Sequence, residues 1–437
     1  MRSLIREIRK EKQLLLILSS WFIAGLYLPI AGYVFVPLSF LFFIKRRQFS
    51  NLFVSLLFLF MLSDNRVAGF DFATTIKPII VSLLFSFLYI NRRRLKISIN
   101  HPLVLDFVPF LIVAFLCILF SPVPLSSTLK TVSYLLFLWT IPVIFMKSVE
   151  KDGAVFFKKI FISVFFLLFS GLLFHIIDPH VTTLVGRYRG WFGNPNGLGI
   201  FITLWFMSLF IIQKQYPKLF DNKRVWKYMY LIIVISLFMC SSRTALVAVA
   251  IFLLFYKLRI RFWSGMLITI VSIFLMPIIL ENIELIIISL DLEDYARLNS
   301  LKEAGGRTVG LDFGWEEIKT DWYILGKGFG YTIHFYKSHF QELIALNHVG
   351  NAHNSYLSAW LNTGLIGMIL FVFAWAKQLY KSRLSPMCFP VAFSCLFSSF
   401  LESWLIGSLN PFTIILLLIL LTLQNKIPLK TELKPSI

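Results

Sequence analysis

Apolar residues in this chain come in long unbroken runs separated by short basic connections. They do not follow the two-residue alternation of a half-buried strand or the single stripe of a helix on a soluble core. Fourteen runs stand out, at 14–29, 30–44, 51–63, 75–90, 103–120, 131–146, 160–177, 199–213, 228–241, 244–258, 263–280, 355–376, 385–401 and 410–424. A bilayer crossing takes about 20 apolar residues, and several runs are shorter. The pattern therefore predicts an all-α polytopic membrane protein with 12 to 14 transmembrane helices. The segment MRSLIREIRKEK precedes the first run as in a signal peptide, but no small-residue cleavage site follows, so the first run reads as a retained span.

The connections orient the spans. With the N-terminus on the cytoplasmic side and the runs alternating, the inner connections include KRR at 45–47, RRRLK at 92–96 and KQLYKSR at 377–383. Together with the other inner loops and both termini they hold 30 of the 42 Lys and Arg residues, which agrees with the excess of basic residues in cytoplasmic loops. One outer connection differs from the rest. Between about 281 and 354 the composition turns polar, with Asp291, Glu293, Asp294, Arg297, Arg307, Glu316, Glu317 and Asp321 and four histidines, His334, His339, His348 and His353. The expected division is therefore 1–280 as N-terminal spans, 281–354 as a large outer loop domain, and 355–437 as C-terminal spans and an inner tail. Within the loop, LDFGWEEIKTDWYIL at 311–325 spaces Phe313, Trp322 and Leu325 as a helix on the membrane surface would.

Composition removes the other classes. The net charge of +20 would suit a nucleic-acid binder, but only 15% of the 437 residues are charged and 58% are hydrophobic, with 47 Phe. Nucleic acid is not an expected partner; membrane lipid is. Cys117, Cys240, Cys388 and Cys395 all fall inside apolar runs without metal-ligand spacing and read as small buried hydrophobes.

Four stretches on the outer side carry candidate chemistry. GRYRGWFGNPNGLG at 186–199 offers Arg187 and Arg189 among glycines that let backbone amides approach a ligand. SSRT at 241–244 interrupts an apolar stretch and places Arg243 near the depth of lipid phosphates, where a guanidinium calls for an anionic partner. GGRT at 305–308 supplies Arg307. NAHNSYLSAWLNTGLIG at 351–367 puts His353 and Asn354 at the start of the span that follows the loop. Each has a plainer reading: lipid-headgroup pairing or snorkelling for the arginines, a helix cap for the histidine. As a set, outward arginines and a histidine suit a phosphate-bearing lipid. The arginines would stabilise a diphosphate leaving group and the imidazole would take a proton from an acceptor hydroxyl, with no metal required. Glu402 is placed either to orient His353 or to cap a helix. GKGFGYT at 326–332 lacks phosphate-loop spacing and reads as a turn. The loop histidines match no metal-site pattern.

At these stretches the sequence resembles the superfamily of O-antigen ligases and O-antigen or exopolysaccharide polymerases, bacterial membrane glycosyltransferases. GRYRGWFGNPNGLG, SSRTALVAVAIFLL, GGRTVGLDFGWEEIKTDWYILGKGFGYT and HNSYLSAWLNTGLIGMILF occur in that order over roughly 175–425. The resemblance implies a glycosyltransferase C-like helical fold in the inner membrane, with both termini cytoplasmic and the active site facing the periplasm. It implies transfer of a glycan from undecaprenyl diphosphate to an acceptor hydroxyl, with inversion, no cofactor and no metal. The acceptor is the lipid A core in a ligase and another lipid-linked repeat in a polymerase. By position, Arg243 and Arg307 would bind the diphosphate with help from Arg187 or Arg189, His353 would be the base, and Asn354, Tyr356 and Glu402 would support it. The competing class is a transporter or flippase of lipid-linked sugars, which calls for ionisable residues at mid-membrane depth, whereas Lys77, Asp106 and Lys130 sit near run ends.

Overall fold

The computed structural model describes residues 2–260, 262–269, 271, 289, 307–321, 323–346, 350–425 and 427. Asp291, Glu293, Asp294, Arg297, Trp322 and His348 lie outside them. The described chain is helical almost throughout, in the order α1 (Arg2–Lys10), α2 (Lys12–Tyr27), α3 (Pro29–Lys45), α4 (Phe49–Leu62), α5 (Asp71–Ile90), α6 (Pro102–Leu116), α7 (Pro124–Asp152), α8 (Val155–Ile177), α9 (Pro179–Thr182), α10 (Pro195–Gln215), α11 (Arg224–Cys240) and α12 (Arg243–Leu258). After the outer connection come α13 (Arg307–Asp321), α14 (Tyr331–Ser338), α15 (Phe340–Ala345), α16 (Ser355–Lys381), α17 (Cys388–Leu401) and α18 (Pro411–Gln424). Among the described residues the strands are β1 (Thr183–Leu184) and β2 (Arg187–Tyr188), a two-stranded hairpin.

This is an all-α polytopic membrane protein. Among the described residues six helical stretches are long and apolar enough to cross a membrane: Ala68–Ile90, Pro102–Phe120, Pro124–Asp152, Val155–Ile177, Pro195–Gln215 and Ser355–Lys381. Shorter apolar helices occupy the other expected runs, including α2 and α3, which are separated at Leu28 with Pro29 in the first helical position. Of the run expected at 263–280, residues 263–269 and 271 are helical and the remainder lies outside the described residues.

The chain forms two compact units, one from Met1–Asp106, Val132–Ala250 and Gly407–Ile437, the other from Phe107–Thr131 and Ile251–Ile406. In the first, α10 packs along α11 and α18, and α4 packs on α5 and α8. Every residue of α4 is buried, as are Pro411–Thr422 of α18 and nearly all of α10 down to Ile212. Helices apolar on every side are stable only when other helices surround them or lipid does, and here other helices do. By contrast α3 and α5 expose Leu38 and Ile79, as lipid-facing helices do. In the second unit a core of Ile318, Tyr331, Phe335, Tyr336, Leu343, Leu357 and Leu361 joins α13, α14 and α15 to the start of α16. Of the helix expected in 311–325, residues 311–321 are helical in α13, which buries Ile318 and packs Phe313 against this core, while 323–325 are non-helical. All four cysteines are free and buried.

Candidate active site

In the first unit the glycine-rich stretch at 186–199 folds as a hairpin followed by a helix start. Leu184 pairs with Arg187 across a two-residue turn, Val185–Gly186, with φ of 49° and 69°, the geometry of the tight turns that match strand twist. Asn194 then caps α10, its side chain accepting the Gly197 N–H at 2.6 Å, with Pro195 in the first turn. The NPNG signal is therefore a helix N-terminus rather than a free turn. Arg187 reaches the end of α11: its guanidinium donates to the Cys240 carbonyl at 2.9 and 3.2 Å, the Ser241 carbonyl at 3.0 Å and the Asn196 side chain at 3.1 Å. These are carbonyls that a helix C-terminus leaves without intrahelical partners, and Ser241, at φ 48°, ends α11 in the left-handed region. Two residues later Arg243 opens α12 with an exposed side chain. Arg187 thus fixes the turn from which Arg243 projects.

Arg189 is buried, 6% exposed, and donates to the Val181 and Gly193 carbonyls at 3.0 and 3.4 Å. Its Nε has no hydrogen-bond partner among the described residues. Desolvation lowers its affinity for the proton, reinforced by the nearby charge of Arg66 and opposed by Asp64. Asp64, from the α4–α5 connection, accepts the Gly193 N–H at 3.1 Å, and Asn65 donates to the Trp191 carbonyl at 3.0 Å. Desolvation raises the Asp64 carboxyl above its ordinary range despite the Gly193 bond and the charges of Lys77, Arg66 and Arg189. A Cβ on Gly193 would fall 2.2 Å from the Asp64 carbonyl oxygen, so this approach requires glycine. The loop amides expected to meet a ligand are in part spent holding the loop itself.

In the second unit His353 precedes α16. Its Nδ1 lies 3.3 Å from the Glu402 Oε2, and its backbone adopts φ 45°, an uncommon state for a residue with a Cβ. Neighbouring contacts hold this conformation. Asn354 caps α16 by accepting the Tyr356 and Leu357 N–H groups at 2.8 and 2.9 Å, and its amide donates to the Phe400 carbonyl at 3.0 Å. The Ser355 hydroxyl donates to the Glu402 carbonyl at 2.8 Å, and the Tyr356 and Ser399 hydroxyls meet at 2.8 Å. Glu402, with extended backbone just past α17, is 7% exposed. Glu402 thus meets His353 through its carboxylate and Ser355 through its backbone carbonyl. Arg307 stands at the first position of α13.

Two further features of this unit are not evident from motif reading. Gly364, at φ 72° and ψ 177°, divides α16, and a Cβ there would lie 2.4 Å from the Ile324 carbonyl oxygen. Just before it, buried Asn362 accepts the Gly330 and Thr332 N–H groups, both at 3.0 Å, and the Leu365 N–H beyond the break reaches the Tyr323 carbonyl at 2.8 Å. The GKGFGYT segment is thus a turn seated against a broken helix. Glu317 meanwhile accepts from the Tyr323 and Tyr331 hydroxyls and from Lys327 Nζ at 3.3 Å. Burial acts to raise this carboxyl, but the three donors outweigh it and hold the group below the usual carboxylate range. The sequence signal for the first is an Asn and a Gly inside the apolar run 355–376, and for the second the acids and tyrosines of the outer loop.

Residues 228–372 match the family model of O-antigen ligase. Over that segment the chain is similar to O-antigen ligases. No curated protein matches the chain. The ligase match runs from Tyr228 in α11 to Val372 in α16, so it contains Arg243, Arg307, His353, Asn354 and Tyr356 and leaves out Arg187, Arg189 and Glu402. The match supports enzymatic glycan transfer of the ligase or polymerase type in a multi-pass membrane protein.

Proposed function

We propose that the protein is an O-antigen ligase-like inverting glycosyltransferase of the bacterial inner membrane. It moves a glycan from undecaprenyl diphosphate to a hydroxyl of the lipid A core on the periplasmic face. The observation that carries the reading is the His353–Glu402 pair at 3.3 Å, at the head of a helix inside the ligase match. With Nδ1–H donated to a carboxylate, a neutral imidazole carries its lone pair on Nε2, the atom we assign to the acceptor proton. Glu402 acts through His353 as a positioning residue. Arg243 and Arg307 bind the diphosphate and offset the charge that grows on it as the sugar departs. Arg187 and Arg189 assist by fixing the loop and the α11–α12 turn. The donor arrives activated on its lipid, so no nucleotide sugar is needed outside the cytoplasm.

A deletion strain tests the reading. Full-length polymer accumulating on the lipid carrier is the expected result. Single repeats accumulating instead make the protein a polymerase, and unchanged surface glycan removes both. Sidedness is tested separately. Glu316→Cys, at a side chain 68% exposed, should react with an impermeant maleimide from outside, and Asp221→Cys, 60% exposed, only after permeabilisation. The opposite labelling pattern would put the proposed site in the cytoplasm.

A further inference from the structure

The second unit holds an open pocket of about 490 Å³ that the proposed chemistry does not use. One wall is a single face of α14, where Tyr331, His334, Phe335 and Ser338 recur at helical spacing, and the opposite wall is the connection 119–122 between α6 and α7. Its size falls in the range of roughly 300–1,000 Å³ usual for small-molecule sites.

The charges in the pocket cancel. Lys327 is paired with Glu317 at 3.3 Å and lies over the rings of Tyr323 and Tyr331 at 4.6 and 5.1 Å. Both charges are thereby committed to each other and to the tyrosines, and among the described residues no arginine lines the space, so a phosphate finds no dedicated counter-charge among them. What remains is a mixed surface. The Ser338 hydroxyl donates to the Phe335 carbonyl at 2.8 Å and keeps its oxygen as an acceptor, the His334 imidazole and the Nε2 of His339 add hydrogen-bonding groups, and the exposed Phe120 supplies flat apolar area. A pyranose presents the matching combination, a rim of hydroxyls around C–H faces.

We propose that this pocket is a saccharide subsite that holds a sugar ring of the glycan or of its acceptor. The proposal rests on the transferase reading for why a sugar is at hand; the α14 wall of the pocket lies within the ligase match, and the 119–122 wall lies outside it. His334 and Ser338 are exposed on α14, so both can be changed with little cost to the core beneath.

The test uses the full chain in lipid nanodiscs and, as probe, the oligosaccharide released by mild acid from the surface glycan of cells that carry the protein. Saturation-transfer NMR should show binding to the unaltered protein and to His353→Ala. Ser338→Trp, which fills the pocket, should abolish it, and His334→Ala should weaken it about five- to tenfold, the worth of a hydrogen bond. In transfer assays Ser338→Trp should raise KM with little change in kcat. A rise in KM for the acceptor places the acceptor sugar here, and a rise for the donor places the donor glycan. No binding to the unaltered protein, or binding and KM unchanged in both variants, overturns the pocket even if transfer is normal. Binding lost in Ser338→Trp by a protein that transfers no glycan overturns the transferase reading and leaves the pocket standing.

Discussion

His353→Ala should lower glycan transfer by about 10² to 10⁴-fold, the range a positioned general base contributes. Alanine also removes the Glu402 contact and the turn's polar residue, so a second substitution separates chemistry from folding. Asparagine tolerates the left-handed backbone that His353 adopts and retains a hydrogen-bonding group, but it cannot take up a proton. His353→Asn should therefore give protein that extracts and elutes like the unaltered chain and yet is as inactive as the alanine variant. Glu402→Gln preserves shape while removing the carboxylate charge, so its loss of kcat should be smaller, and substrate KM should stay near normal. Near-normal kcat in His353→Asn, measured with purified donor and acceptor, would reject the base assignment.

Arg243→Ala should be the second large effect, a loss of roughly 10² to 10³-fold, as when one stabilising donor is removed from a transition-state charge. Arg243→Lys keeps the charge but loses the planar fork and should recover only part of the rate. The informative contrast is Arg187→Ala. That substitution strands the Cys240 and Ser241 carbonyls, which costs about 1–3 kcal/mol if they stay buried, and should lower thermal stability. Arg243 is exposed at the head of α12, so its alanine variant should lose less thermal stability than Arg187→Ala. Equal melting losses in both variants with full activity in Arg243→Ala would reverse the two roles.

The spans were legible because hydrophobic length is set by the bilayer. The breaks were legible too, at Pro29 and at Ser241–Ser242, where helix-ending chemistry falls inside apolar sequence. Which spans lie inside was not legible. α4 and α18 are apolar all round, and lipid and a helix bundle accept the same residues, so composition does not separate the two settings. In the candidate site His353 and Arg243 stood out as members of a set, because each alone also fits a helix cap or a snorkelling cation. The Arg187 latch did not, because its partners are carbonyls, which every residue has. The Asp64–Gly193 contact joins segments 129 residues apart and leaves no local pattern. Asn362 and Gly364 were in plain view within the HNSYL stretch, yet their meaning depends on a turn more than thirty residues earlier pressing against them.

The break at Gly364 has a mechanical consequence. Ser355–Thr363, which carries the His353 turn at its head, is tied to 323–332 through Asn362, Tyr323 and Trp360, while the part beyond Gly364 runs on to Lys381. Bilayers differ in thickness, and a long span meets the difference by tilting. Leu365, beyond the break, also bonds to Tyr323, so both halves of α16 are fastened to the same turn, and that turn resists a tilt of the span before it reaches the imidazole.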